Sequence, residues 1–254
     1  MNPLPDGMLD RLDADHPYPR AFVTISGAHL YGFPSDDSDV DLRGVHLTPL
    51  EDIVGLDTVE QTLTLGWDHA GVEADVVTHD LAKFCRLLLR RNGYVLEQVT
   101  SPLVVATSPV HDELLALVPG LLTSNHAHHY LGFARTQWGL FEKTKELKPL
   151  LYTFRVLLTG IHLMRAGEIQ ADLPRLMDYG PSYLLDLVEA KRAAEHGALP
   201  SGAPKPKRLR ADVEALTARL NEERDASSLP AQPSVHRDLH DLVVRTRLAG
   251  YRPA

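Results

Sequence analysis

Apolar and polar positions predict mainly strands between residues 20 and 79 and mainly helices after them. The run 20–27, Arg-Ala-Phe-Val-Thr-Ile-Ser-Gly, is rich in β-formers and stops at a glycine, which predicts a strand. A loop carrying Gly32, Pro34, Ser35 and Ser38 follows, then an alternating second strand from Val40 to Leu47. Pro49 to Ile53 predicts a short helix. Glu60 to Trp67 and Val72 to His79 predict two further strands around Asp68-His-Ala-Gly. Residues 1–19 read as a lead-in with a short helix.

From Asp80 the period changes. A helix begins there, with Leu81, Phe84, Leu88 and Leu87 on its apolar face. Asn92-Gly93 after it reads equally well as a helix C-cap or as part of a site with Glu97. Helical spacing then covers Asp112 to Leu122, Ser124 to Lys145, Pro149 to Ala166, Pro181 to His196, Asp212 to Asp225 and Ser234 to Leu248. The stretch from Pro200 to Lys207 predicts a turn or linker. A sheet followed by helices predicts an α+β fold: a small mixed β-sheet domain over residues 1–108, then a helical domain over 109–254.

Composition narrows the class. Hydrophobic residues make up 44% and charged residues 24% of 254 positions, which suits a globular chain with a sizeable core. A net charge of −8 argues against a general basic coat for DNA. One cysteine, Cys85, allows no internal disulfide and fits a reducing cytoplasm; its helical setting predicts a buried, inert thiol. No basic-then-apolar start suggests a signal peptide, and no run of about 18 apolar residues suggests a membrane span.

The informative stretch runs from Ile25 to Val45. A strand ends at Gly27, where a missing Cβ permits close backbone approach. The following N–H groups suit a phosphate. Asp39 and Asp41 come twelve residues later, two apart on a strand and so on one face. Asp-x-Asp alone is common and mostly marks an exposed turn or strand edge. Beside the glycine loop and a later acidic strand it has another meaning. Paired carboxylates repel unless a cation sits between them, and Mg²⁺ prefers oxygen ligands that it shares with phosphates. A third carboxylate is expected on a neighbouring strand. Asp75 is the choice, because Val76-Val77 continues from it, with Glu73 in reserve.

These residues resemble the polymerase-β-like nucleotidyltransferase superfamily. More narrowly, Ser26-Gly-Ala-His-Leu-Tyr-Gly and Asp37-Ser-Asp-Val-Asp-Leu-Arg-Gly-Val look like the stand-alone predicted nucleotidyltransferases of the YcgL type. Lys83-Phe84, Asn92-Gly-Tyr-Val-Leu-Glu97, Tyr152-Thr-Phe-Arg155 and Ser228-Leu-Pro-Ala-Gln-Pro extend the likeness over most of the chain. The resemblance implies that Asp39, Asp41 and Asp75 hold two Mg²⁺ (or Mn²⁺) ions. It implies also that Gly27, Ala28 and the next N–H groups cradle the β- and γ-phosphates of an NTP such as ATP. The superfamily usually places Ser where this chain has Ala28, which removes one phosphate hydrogen bond worth about 0.5–1.5 kcal/mol. Ser26 is the hydroxyl available to compensate.

The implied reaction moves an NMP from an NTP to an acceptor hydroxyl, releasing pyrophosphate. The acceptor is an RNA end, a protein or a small molecule. The rival expectation is a non-catalytic nucleotide- or RNA-binding module, for instance a toxin–antitoxin partner, which Ala28 keeps open. Arg43 shares the face of the acidic pair, either balancing Asp39 and Asp41 or touching a phosphate. Lys148, Tyr152 and Arg155 recur at i, i+4 and i+7 and form either a phosphate-facing stripe or a solvated basic face. His29 and Tyr31 flank the glycine loop. His126 and His129 have zinc-like spacing but better fit a polar helix start. Trp138 and Phe141 read as core, and Lys205, Lys207, Arg208 and Arg210 as a basic linker.

Overall fold

A computed structural model describes residues 4–35, 38–193 and 197–250. Its elements run α1 (Met8–Asp15), β1 (Arg20–Ile25), α2 (Gly27–Tyr31), β2 (Val40–His46), α3 (Leu50–Val54), β3 (Thr62–His69), β4 (Val72–Asp80), α4 (Leu81–Leu88), α5 (Gly93–Val99), β5 (Val104–Ala106) and α6 (Pro109–Leu117). Then come α7 (Ala127–Thr144), α8 (Leu147–Ala166), α9 (Leu184–Arg192), α10 (Pro206–Ala226) and α11 (His236–Ala249). The α+β class expected from the rhythm is what forms.

The five strands make one mixed sheet in the order β3-β4-β2-β1-β5. Only β2 and β4 run parallel, with Asp41 opposite Asp75 and Arg43 opposite Val77. The pleat then decides which face carries chemistry. Val40, Leu42, Ala74 and Val76 join Val23, Ile25 and the α1 residues Met8 and Leu12 in one buried cluster. Asp41, Arg43 and Asp75 occupy the alternate positions and so face the other way. Phe22 stacks on His111 of α6 at 4.3 Å and meets Phe84 of α4 edge-on at 5.6 Å.

Asp80 starts α4 by accepting a hydrogen bond from the Ala82 N–H at 2.9 Å. Leu81, Phe84, Cys85 and Leu88 are buried on this helix, which keeps Leu81, Phe84 and Leu88 of the predicted face, while Leu87 is half-buried. Cys85 is 4% exposed, and burial, reinforced by Asp80, pushes its thiol up to about 12. The inert-thiol expectation fits that environment.

The chain forms two compact units that do not divide at 108/109. One holds residues 1–29, 39–121 and 233–254; the other holds 30–38 and 122–232. The C-terminal helix α11 therefore packs in the sheet unit, where Arg247 donates to Asp80 Oδ2 and to the Thr48 carbonyl. In the other unit, α8 packs against both α7 and α10. A Cβ on Gly160 of α8 would lie 2.9 Å from Leu220 Cδ2 and 3.1 Å from Tyr130 Cβ, so the glycine permits the close approach.

Three local expectations change. β5 was unforeseen: its three residues are too few to display a rhythm, and the sheet edge recruits them by pairing with β1. The basic cluster expected as a linker instead opens α10, with Pro206 in its first turn. There Arg208 pairs with Asp212 at 2.8 Å and Arg210 pairs with Glu142 of α7, so those two charges are neutralised. Asn92 is an N-cap rather than a C-cap, since its side chain accepts the Tyr94 N–H at 3.1 Å and begins α5. Asp36, Asp37 and the expected helix end at His196 lie outside the described residues.

Candidate active site

β1 ends under the acidic pair. The Ile25 N–H donates to the Leu103 carbonyl at 2.9 Å, and the Ser26 N–H donates to the Asp41 carbonyl at 2.8 Å. The next residue, Gly27, adopts φ +60°, and a Cβ there would lie 1.7 Å from Asp41 Oδ2. Only glycine combines that backbone angle with that contact. Ser26 and Ala28 beside it are both buried.

The parallel register sets Asp41 and Asp75 side by side, and Arg43 joins them. Its Nη2 donates to Asp41 Oδ1 at 2.6 Å and to Asp75 Oδ2 at 2.8 Å. Nη1 donates to the carbonyls of Leu42 at 2.9 Å and Asp75 at 2.7 Å. Nε donates to Tyr94 Oη at 2.8 Å. All the N–H donors of a guanidinium are thereby engaged with protein groups. Burial opposes its charge, but Tyr94, Asp41 and Asp75 outweigh burial and hold its pKa above the usual arginine value.

The expected triad is only partly gathered. Asp39 precedes β2 and is exposed, and Glu73 is exposed opposite Asp68 of β3. Among the described residues, no three histidine, cysteine or carboxylate side chains stand close enough to hold a metal ion. The chemistry of the donors nevertheless suits a hard divalent cation. Asp41 and Asp75 offer oxygens only and already converge on one positive group.

Tyr94 is the residue that sequence reading passed over. The block Asn92-Gly-Tyr-Val-Leu-Glu97 stood out, but attention fell on Asn92 and Glu97. The Asn92 cap fixes the first turn of α5 and so aims Tyr94 at Arg43. Glu97 is buried on the same helix.

Lys148, Tyr152 and Arg155 lie on α8 in the second unit. Arg155 is buried, with its guanidinium 3.8 Å above the Tyr31 ring, and Tyr152 meets Tyr31 and Phe33 edge-on. That arrangement is an internal cation–π and aromatic cluster. His126 bonds through Nδ1 to the Thr123 hydroxyl at 3.0 Å and receives the Thr123 N–H at 3.2 Å, a capping box at a helix start. Phe141 is buried as expected of core, and Trp138 is half-buried.

Of the residues that the resemblance to polymerase-β-like nucleotidyltransferases singles out, the structure brings Gly27, Asp41 and Asp75 together and leaves Asp39 exposed before β2. Residues 1–245 match the RlaP family, described as the RNA repair pathway DNA polymerase beta family, and the chain belongs to that family. It is thereby a nucleotidyltransferase of the polymerase-β-like class. An uncharacterized protein of Methanocaldococcus jannaschii is 29% identical over 217 residues, covering 84% of this chain and 88% of that relative. A nucleotidyltransferase-like protein from Exiguobacterium sibiricum 255-15, known from a crystal structure, aligns over 97% of this chain and 79% of its own at a TM-score of 0.32 and 11% identity. That likeness is too distant to bear on the site. Among the described residues no helix is long and apolar enough to cross a membrane.

Proposed function

We propose that the protein transfers a nucleoside monophosphate from an NTP to a hydroxyl at an RNA end, releasing pyrophosphate. The observation that carries this reading is the Asp41–Asp75 pair in register beside Gly27. The family's description as an RNA repair pathway group supports an RNA acceptor over a protein or small molecule.

Asp39, Asp41 and Asp75 would hold two Mg²⁺ or Mn²⁺ ions, which would neutralise charge at the α-phosphate and lower the pKa of the acceptor hydroxyl. The chain's own contribution is orientation. The positive φ of Gly27 turns the backbone after β1, so that N–H groups at Gly27 and Ala28 are offered to phosphate oxygens. Asp41 is held from its backbone carbonyl by Ser26 and from its carboxylate by Arg43, which fixes it before substrate arrives. Asp75 has a side chain 46% exposed and is the carboxylate open enough to receive the proton of the incoming hydroxyl.

The test is label transfer. Each α-labelled NTP is incubated with Mg²⁺ or Mn²⁺ and a mixed pool of RNA, protein and small hydroxyl acceptors. Transfer to RNA that vanishes in Asp41→Ala and Asp75→Ala is the expected result. Nucleotide binding with no transfer to any acceptor would favour a binding module instead.

A further inference from the structure

We propose that Arg43 is a positioning residue that acts as a built-in counter-cation. It keeps the Asp41–Asp75 pair shaped for a divalent ion while holding down the pair's affinity for a bare one. The ion then binds well only together with nucleotide phosphates. This rests on the nucleotidyltransferase reading above and adds to it the order in which the site fills.

The argument starts from repulsion. Two ionised carboxylates on adjacent strands destabilise each other unless a positive group lies between them. Here that group is covalently part of β2 and cannot leave. It cannot lose its charge either, since a guanidinium stays protonated in proteins. Nor is it loose. Tyr94 anchors Nε, and two backbone carbonyls anchor Nη1, which leaves Nη2 to span the carboxylates. It takes one oxygen from each, Asp41 Oδ1 and Asp75 Oδ2, while the other Asp41 oxygen faces Gly27. The pair is therefore shaped in advance but already partly neutralised. A bare divalent ion meets a fixed positive charge beside its ligands. An ion carrying triphosphate oxygens brings its own negative charge and overcomes that repulsion.

A purely structural ion pair predicts the opposite consequence of removing the charge. Loss of Arg43 would then loosen the carboxylates and weaken the binding of metal. The experiment measures Mn²⁺ binding to the full chain by electron paramagnetic resonance and calorimetry. It is run without nucleotide and with each of the four αβ-methylene nucleoside triphosphates. Wild type is expected to bind Mn²⁺ weakly alone and markedly tighter with a triphosphate. Arg43→Gln should bind bare Mn²⁺ at least about tenfold tighter than wild type, the order expected from deleting a contact-range charge beside a divalent ion even under bulk-water screening. Arg43→Lys keeps the charge and should stay within about twofold of wild type. If Arg43→Gln binds bare Mn²⁺ equally or more weakly, the proposal is overturned.

Circular dichroism checks that the variants fold. If Arg43→Gln does not, Tyr94→Phe decides, because it removes only the Nε anchor and lets an incoming ion push the guanidinium aside. Bare Mn²⁺ should then bind about two- to threefold tighter, and an unchanged affinity overturns the proposal. Wild type that binds no Mn²⁺ even with triphosphate overturns the nucleotidyltransferase reading itself. Wild type that does so, with no gain in Arg43→Gln, overturns only the role of Arg43.

Discussion

Gly27 and Asp41 occupy one space: a side chain on the glycine would begin 1.7 Å from the Asp41 Oδ2 atom. The contact joins the turn after β1 to the acidic strand, so the two halves of the motif hold each other in place. Gly27→Ala tests this directly. The φ of +60° costs an L-residue about 1–2 kcal/mol, and the clash displaces Asp41 in addition. The expected outcome is a lowered melting temperature and loss of at least about 100-fold in transfer rate, more than the strain alone explains. A variant with near wild-type turnover would show that the contact is incidental.

The thiol of Cys85 gives a simple check on the packing of α4. With 4% exposure and a pKa pushed up to about 12, mainly by burial, it holds almost no thiolate at neutral pH. A disulfide exchange reagent should leave it unmodified in the native protein and label it rapidly in denaturant. Fast labelling under native conditions would mean that α4 opens locally.

Three histidines should make stability depend on pH. His46 and His79 are both lowered to about 4, chiefly by burial; His16 adds to the effect at His46, and Lys83 and Arg43 at His79. His129 is lowered to about 4 by burial, His126 and Arg155. Each is neutral when folded but takes up a proton when unfolded below about 6.5. The unfolded chain therefore binds more protons in the window from 6.5 to 4, and stability falls as pH drops through it. The Asp80 pKa is lowered as well: burial raises it, but hydrogen bonds and charge from Arg247 outweigh that, so its contribution is lost only as pH falls below the ordinary carboxylate value of 3.8. Urea unfolding at pH 7, 6 and 5 should show this decline. His46→Gln, at a fully buried site bonded to Thr78, should flatten it.

Much of the fold is legible in the sequence. β-former content and a terminal glycine mark β1, which is buried almost throughout, whereas β4 shows the alternation of a strand with one buried face. Gly27, Asp41 and Asp75, which the structure brings together, stand out because a backbone angle and paired charges restrict residue type sharply; Asp39, expected with them, stands exposed before β2. The parts that stayed hidden depend on contacts distant in sequence. No local pattern says that Arg43 finds Tyr94 fifty-one positions later, or that Arg155 lies against Tyr31 rather than facing outward. The basic residues at 205–210 looked like a linker because Pro206 usually breaks a helix, yet in the first turn its missing N–H costs nothing. The return of α11 to the sheet unit was equally silent, since a helix names its face but not its partner.

That return provides the last prediction. Arg247 of α11 reaches Asp80 at the end of β4, with side chains 10% and 5% exposed, and also donates to the Thr48 carbonyl. Breaking a pair so buried leaves an uncompensated charge and typically costs about 3–5 kcal/mol, whereas removing both charges costs far less. Arg247→Met alone should therefore destabilise the chain by about 3 kcal/mol in denaturant unfolding. Asp80→Asn should keep the cap on the Ala82 N–H, because asparagine caps as well as aspartate, and lose only the ion pair. The double variant should recover a sizeable part of the single Arg247→Met loss, giving a coupling above about 1 kcal/mol in the cycle. Strictly additive losses would mean that α11 is held by its apolar face at Leu239 and Leu242, and not by this pair.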